Sequence, residues 1–269
     1  MTDLRLPALP AEFEPTRASL HAYAKAIGAV PRAHAVSHPN WWHISLKVRP
    51  EGLVTDPIPL PNGGSLGIRM DLRSHEIVIA ASDGSMDTID MTAGLTATEL
   101  GDRIAAVAGE HGLGNQIERT RYHDDDPRAY EPDAAEAYFE AFVAVASVFE
   151  RHRAGLGYRV SPVQVWTHGF DLAFDWIGTR TEEYEGEATP AQLNLGFYPG
   201  GEPYFYSNPW PFDESLLETP LPQGAEWVTE GWQGSKLAYA DLIGDPNAGE
   251  RLLEYARAVF DAASPGLTA

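Results

Sequence analysis

The sequence contains no cysteine. This absence excludes disulfide bonds, thiolate catalysis and cysteine-ligated zinc. No apolar run approaches the roughly 20 residues that a helix needs to cross a bilayer. The first residues, MTDLRLPALP, lack the basic start and apolar run of a secretory signal. Together these absences predict a cytoplasmic protein.

Positive charge is also scarce. The chain has 19 lysines and arginines against 39 aspartates and glutamates, which gives a formal net charge of -20. Nucleic acids and anionic membranes would be repelled by such a surface. We therefore expect no nucleic-acid partner and no membrane partner, and we interpret the excess acid as an aid to solubility.

Apolar and aromatic residues are plentiful, at 43% and 10% of 269 residues. A chain of this length and composition can bury a substantial core in one domain or two. Leu20, Tyr23 and Ile27 recur at helical spacing, and Gly28 is predicted to end that helix. Further on, Thr96 and Glu99 have the spacing of a capping box at the start of a second helix.

Strand patterns alternate with these helices. Leu66, Ile68 and Met70 alternate with polar or small residues, and Asp83-Gly84 is predicted to be the turn of a following hairpin. Trp42, Ile44 and Leu46 alternate in the same way and predict an earlier strand. The order of elements predicts an α+β fold with largely antiparallel sheets and flanking helices.

The two halves of the chain show a similar order of elements, which suggests an internal duplication. Each half would be a helix, four strands and a helix, with boundaries at 1–125 and 126–269. The hairpins EIVIAASDGSMDTIDM and EWVTEGWQGSKLAYADL are the most similar parts. The second half would carry an insertion around residues 181–193. A seam between halves would be a natural place for a pocket.

The stretch 161–180 is the densest apolar and aromatic segment, yet it carries several charges. Asp171 lies within an apolar run and needs a partner, which Arg180 could supply as a structural ion pair or as part of a ligand site. On a strand, Asp171 and Asp175 share one face while His168 points to the other. This spacing argues against a shared metal site, and we predict neither a metal nor a cofactor.

More aromatic residues are present than a core requires, and some are predicted to line a cleft for a flat or sugar-like ligand. We propose Trp42 and Tyr198 as ligand contacts, together with His21, Asp171 and Arg180. His21 lies beside an apolar helix face, which favours a structural, hydrogen-bonded histidine over a ligand contact. His43 is the candidate catalytic acid or base, because it alone among Trp42, His43, Asp171, Arg180 and Tyr198 titrates near neutrality. The aromatic residues in question are Trp41, Trp42, Trp166, Trp176, Tyr198, Tyr206 and Trp210.

Several short segments, taken together, carry a resemblance to a known family. They are Leu20-His21, Trp41-Trp42-His43, EGLVTDPIP, Asp71 with His75, SDG at 82–84, SPV at 161–163, FDLA at 170–173, Gly178-Thr179-Arg180 and GFYPG at 196–200. The chain resembles the bacterial family named domain of unknown function 5996, and these segments span nearly its whole length. The resemblance implies no activity, cofactor or fold. In the family pattern, histidines stand where this chain has Pro127, Gln164 and Pro190, which would fit loss of one shared site.

Three functions remain open on the sequence alone. The first is a small-molecule-binding protein, or an enzyme with an aromatic-lined, non-metal cleft. The second is a non-catalytic interaction or assembly module, which would expose an apolar patch. The third is a metal-dependent hydrolase that has lost part of its site. The sequence does not predict an oligomeric state.

Overall fold

A computed structural model describes residues 4–114 and 116–269. The chain forms two compact units, and each is discontinuous in sequence. The first unit comprises Leu9–Val143 and Gln164–Phe170, and the second comprises residues 4–8, Ala144–Val163 and Asp171–Ala269. The division into halves at 1–125 and 126–269 stays a prediction.

Four α-helices are present in the described residues. They are α1 (Glu14–His34), α2 (Ala97–Glu110), α3 (Pro132–Arg153) and α4 (Ala248–Ala263). Helix α3 contributes residues to both units. Within the described part of the chain, no helix combines the length and the apolar character that a membrane span requires.

The first unit contains an antiparallel sheet of short strands. Its strands are β1 (Lys47–Arg49), β2 (Gly52–Val54), β3 (Ile58–Pro59), β4 (Ser65–Asp71), β5 (Glu76–Ala81) and β6 (Met86–Asp90). They run in the order β1-β2-β4-β5-β6, and β3 pairs with β4. A further short strand, β7 (Gln164–Trp166), forms an antiparallel bridge from Val165 to Leu46.

The second unit contains a sheet in which two strands are much longer than the rest. The strands of this unit are β8 (Asp171–Tyr184), β9 (Glu187–Tyr198), β10 (Tyr204–Ser207), β11 (Pro209–Trp210), β12 (Ala225–Val228) and β13 (Gly234–Ala238). These strands pair antiparallel in the order β12-β13-β10-β9-β8, with β11 on β9. The predicted insertion at 181–193 falls within the long β8–β9 hairpin, which continues beyond a register shift between Ile177 and Thr181.

The α+β class with antiparallel sheets is thus confirmed. In β4 the predicted alternation holds, because Leu66, Ile68 and Met70 are buried while the residues between them are partly exposed. The predicted hairpin also forms, since β5 pairs with β6 across the turn that contains Asp83-Gly84. Strands with one apolar face form sheets that bury that face, which explains the alternation in β4.

The duplication is not confirmed. In the first sheet, the leading strand of the aligned hairpin, β5, pairs inward with β4, and β6 lies at the edge. In the second sheet the leading strand, β12, lies at the edge, and β13 pairs inward with β10. The two similar hairpin sequences therefore enter their sheets in opposite order.

Helix α1 corrects one predicted boundary. It does not end at Gly28 but continues to His34. Gly28 is buried inside the helix, where an added Cβ would lie 2.6 Å from Thr167 Oγ1. The glycine is explained by this close approach of another segment and does not mark a helix end.

The start of α2 confirms the predicted capping box. The Thr96 hydroxyl accepts from the Glu99 amide at 3.1 Å, and the Glu99 carboxylate accepts from the Thr96 amide at 2.9 Å. We expect Thr96→Ala to lower the free energy of unfolding by about 1 kcal/mol, because a backbone donor loses its partner. Urea denaturation would measure this change. Thr96→Ser keeps the hydroxyl and should cost clearly less; equal losses in the two variants would contradict the assignment.

Candidate functional site

The sheet of the second unit has one apolar face and one mixed face. On β8, Leu172 and Phe174 are buried, whereas Asp171 and Asp175 are partly exposed. Side chains alternate between the faces of a strand, so the two carboxylates share the mixed face. The sequence analysis predicted this shared face.

An aromatic cleft of about 280 Å³ opens on this face. We call it the tyrosine cleft; it is lined by Asp171, Tyr198, Tyr204, Tyr206, Asn208 and Trp232. The Tyr204 ring lies at its centre, with ring-centroid distances of 5.5 Å to Tyr198, 6.1 Å to Tyr206 and 6.4 Å to Trp232. Of the ligand contacts predicted from sequence, the structure brings together Asp171 and Tyr198 here.

Tyr206 reaches Asp171 by crossing a neighbouring strand. Tyr206 on β10 pairs with Gly196 on β9, which in turn pairs with Ala173 on β8. A Cβ at Gly196 would overlap the Tyr206 ring. Because this glycine has no side chain, the ring can lie across β9, and its hydroxyl donates a hydrogen bond to Asp171 Oδ2.

The negative charge of this pair resides on the carboxylate. Burial, and then the neighbouring charge of Asp171, raise the pKa of Tyr206 well above its ordinary value. Burial likewise raises the pKa of Tyr204, and Tyr198 and Asp171 add to that effect. Both phenols therefore stay protonated at neutral pH, which leaves Asp171 as an anionic acceptor at the wall of the cleft.

Asp175 is the second carboxylate of this face. Desolvation, followed by repulsion from Asp171, raises the pKa of Asp175 to about 6. In the unfolded chain the same group titrates near 3.8. The native state therefore holds a proton that the unfolded state releases, and stability falls as the pH rises from about 4 to about 6.

This linkage gives a prediction for Asp175→Asn. Above the native pKa, the variant should be more stable than the wild type by about 1–2 kcal/mol, after allowance for partial exposure of the side chain. At pH values below about 4 the two should be equally stable, because both then carry a neutral side chain. Urea denaturation across this range would measure the difference. Asp87→Asn, at an exposed position of β6, is the control; an advantage of Asp175→Asn that did not depend on pH would contradict the assignment.

One ammonium group already contacts an aromatic ring of the cleft. Lys236 Nζ on β13 lies 4.9 Å from the centroid of the Tyr204 ring. A cation at this distance is attracted by the negative face of the ring. The electronic character of the cleft therefore favours positive charge.

Arg180 does not join this site. Asp171 and Arg180 lie on the same strand, nine residues apart, which corresponds to about 30 Å. Arg180 instead donates to Glu182 at 2.7 Å and to the Gly266 carbonyl at 3.0 Å. The predicted ion pair between Asp171 and Arg180 is therefore wrong, and Arg180 lines a different pocket of the second unit, beside Phe212.

His43 and Trp42 lie in the first unit, and the strand predicted for them is wrong. Residues Trp42–Ile44 form a 3₁₀ turn. His43 is buried, and its Nδ1 accepts from the His38 amide at 3.1 Å. Burial, then the charges of Arg32, His38 and Lys47, lower the pKa of His43, so its ring is neutral at physiological pH. The structure gives His43 a role in holding this turn, and its catalytic role stays a prediction.

Trp42 stacks on His38, with ring centroids 4.1 Å apart. Its indole Nε1 is buried and has no hydrogen-bond partner among the described residues. Neither Trp42 nor His43 lines the tyrosine cleft. The use of Trp42 as a ligand contact therefore stays a prediction as well.

His21 lies on α1 and lines a separate pocket of the first unit. Its Nε2 lies 2.8 Å from the His168 carbonyl, so Nε2 carries the ring proton and donates. Burial lowers the pKa of His21 to about 4, and Lys25 and Arg17 add to this, against the hydrogen bond to His168. This pocket is described further below.

The sequence analysis missed three lining residues of the tyrosine cleft: Tyr204, Asn208 and Trp232. A usable signal was present, because Tyr204 and Tyr206 alternate with buried Phe205 and follow Tyr198 after a turn. Trp176, by contrast, is buried in the core.

No group of three histidine, aspartate or glutamate side chains in residues 4–114 and 116–269 is arranged to hold a metal ion. The hydrolase alternative therefore lacks a ligand cluster in this part of the chain.

Comparison with known proteins places the chain in a family. The model of a family described as "Family of unknown function (DUF5996)" matches residues 6–267. No curated protein and no solved structure matches the chain. The match covers nearly the whole chain, in agreement with the resemblance drawn from its short segments.

Proposed function

The chain belongs to the DUF5996 family of unknown function, and we propose from the cleft itself that the protein binds a small organic cation. The ligand would be an alkylammonium compound held in the tyrosine cleft. The observation that carries this proposal is the lining: four aromatic rings, one amide and one carboxylate, Asp171.

The attraction has two parts. Each aromatic face within about 6 Å of a cation contributes roughly 0.5–2 kcal/mol, and more when water is excluded. The Asp171 carboxylate adds a direct ionic contact, since the phenols beside it stay protonated. Methyl groups on the ammonium would gain apolar contact with the rings, which favours an alkylated cation over a bare ammonium ion.

The size of the cleft limits the ligand. Its volume of about 280 Å³ lies just below the range for small-molecule pockets, about 300–1,000 Å³. The cleft therefore suits a small ligand, such as a compound of choline size. Two or three ring contacts with one carboxylate suggest a Kd on the order of 0.1–1 mM.

Calorimetric titration with choline tests the proposal. We expect measurable binding to the wild type and at least about tenfold weaker binding to Asp171→Asn, which keeps the shape of the side chain but removes its charge. Glu226→Gln is the matched control, because it removes one carboxylate from an exposed position of the same sheet. That variant should bind choline as the wild type does.

Two results would overturn the proposal. One is equal affinity of the wild type and Asp171→Asn for choline. The other is binding of an uncharged methyl glucoside in preference to choline, which would identify the cleft as a sugar site instead. The hypothesis of an interaction module stays a prediction, and so does any catalytic activity.

A further inference from the structure

The first unit contains a pocket whose charge is opposite to that of the protein. This pocket, which we call the basic pocket, has a volume of about 340 Å³. Four cationic side chains line it (Arg17, Lys25, Arg121 and Arg128), and Asp124 supplies one carboxylate. In a chain with a net charge of -20, such a concentration of cations creates a local positive potential that attracts anions.

Two of these cations form ion pairs with glutamates that do not line the pocket. Arg17 contacts Glu14 at 2.6 Å, one helical turn back on α1. Arg121 contacts Glu118 at 2.7 Å. Neither glutamate lines the pocket. These ion pairs hold the two arginines in place at the wall of the pocket.

Arg128 carries the strongest evidence. Its side chain is only 10% exposed, and it forms an ion pair with Asp124 through Nη2. Its Nε–H is buried and has no hydrogen-bond partner among residues 4–114 and 116–269. A buried donor of a charged group that lacks an acceptor costs free energy, so such groups in native proteins call for an explanation. An oxygen atom of a bound anion would supply the missing acceptor.

Lys25 adds a cation that is available to a ligand. It is exposed on α1, and it makes no ion pair within the part of the chain that the structure describes. His21, four residues before Lys25 on α1, also lines the basic pocket. Because His21 Nε2 carries the ring proton, its Nδ1 is an acceptor in the neutral ring.

We propose that the basic pocket binds an oxyanion of the phosphate type, with Arg128 Nε and Lys25 Nζ as its donors. A tetrahedral dianion offers several acceptor oxygens, enough for one to face each of the two donors. Arg17 and Arg121 would add long-range attraction. The site is separate from the tyrosine cleft, which belongs to the other unit.

Calorimetric titration of the full-length protein with inorganic phosphate tests this inference, at constant ionic strength held by sodium chloride. We expect saturable binding to the wild type. Arg128→Gln should weaken binding about tenfold or more, since a charged hydrogen bond is lost. Lys25→Gln should weaken it by a smaller factor, about threefold to tenfold.

Two controls keep the test decisive. Arg128→Gln also loses the ion pair to Asp124 and could fold poorly. Lys25 is exposed and has no ion pair with any residue that the structure describes, so Lys25→Gln tests the site without that complication. Arg49→Gln removes one exposed cation of the same unit, whose guanidinium donates to the Val48 carbonyl, and should bind phosphate as the wild type does. The proposal is overturned if phosphate has no effect beyond that of chloride. It is also overturned if Lys25→Gln binds phosphate as well as Arg49→Gln.

Discussion

Replacement of Phe170 by alanine is expected to lower the free energy of unfolding by about 3–5 kcal/mol, the largest effect that we predict for a single substitution. The Phe170 side chain is fully buried in the first unit. Its ring packs against Phe142 at 5.6 Å, and against Tyr138 and His21 at 6.1 Å between centroids. Removal of the ring would leave a cavity among side chains that are themselves tightly packed.

The backbone conformation of Phe170 indicates that the packing of its ring also stabilises the local turn. Its φ is 55°, a left-handed conformation that a bulky residue seldom adopts. Such strain persists only when the surroundings compensate for it. We infer that the aromatic contacts hold this turn in place immediately before β8 begins at Asp171.

Urea denaturation of Phe170→Ala and Phe170→Leu would measure the effect. Leucine refills most of the space and should cost less than half as much as alanine. Val36→Ala, at a position that is 76% exposed, should change stability by less than about 0.5 kcal/mol. A loss below about 1 kcal/mol in Phe170→Ala would contradict the role given to this ring.

Gly196→Ala is expected to damage the tyrosine cleft directly. The new methyl group would overlap the Tyr206 ring where it crosses β9. The ring must move, so its hydrogen bond to Asp171 is lost. Overpacking of this kind costs about 1–3 kcal/mol, and the affinity for choline should fall about tenfold or more because the wall of the cleft is displaced.

A double-mutant cycle separates this clash from a general effect of the added methyl group. In the Tyr206→Ala background the ring is absent, so Gly196→Ala should cost little stability there. Gly67→Ala on β4 is the matched control, since a Cβ at that strand position meets no atom within 4 Å. Additive losses from Gly196→Ala and Tyr206→Ala would show that the ring does not lie over Gly196.

Local patterns predicted the secondary structure well where one face of an element is buried. The alternation in β4, the β5–β6 hairpin and the capping box of α2 all depend on residues close together in sequence. Two predictions failed for physical reasons. The alternating residues around Trp42 belong to a 3₁₀ turn that follows a left-handed residue, Trp41, with a φ of 60°.

The second failure was Gly28, whose role depends on Thr167, a residue distant in sequence. A glycine that admits a close neighbour has the same local pattern as a glycine that ends a helix. The contact itself cannot be read from the residues around Gly28. Only the folded chain shows which of the two roles applies.

The candidate site was predictable only in part, because some of its features are local in sequence and others depend on the folded chain. Asp171 and Tyr198 stood out as a carboxylate within an apolar run and an aromatic residue beside a turn. The path of Tyr206 over Gly196 depends on strand order and register, which the sequence alone does not supply. The sequence also suggested Arg180 as a partner of Asp171, although strand geometry keeps the two apart.

If the tyrosine cleft selects positive charge, it should distinguish choline from an uncharged molecule of the same shape. Choline and its uncharged isostere, 3,3-dimethylbutan-1-ol, have nearly the same shape. They differ mainly in the charge at one atom, which is nitrogen in choline and carbon in the alcohol. Calorimetric titration of the wild type should show binding of choline at least about tenfold tighter than binding of the alcohol, because the ring faces and Asp171 attract the cation. Equal affinity for the two compounds, or no binding of either, would contradict the account.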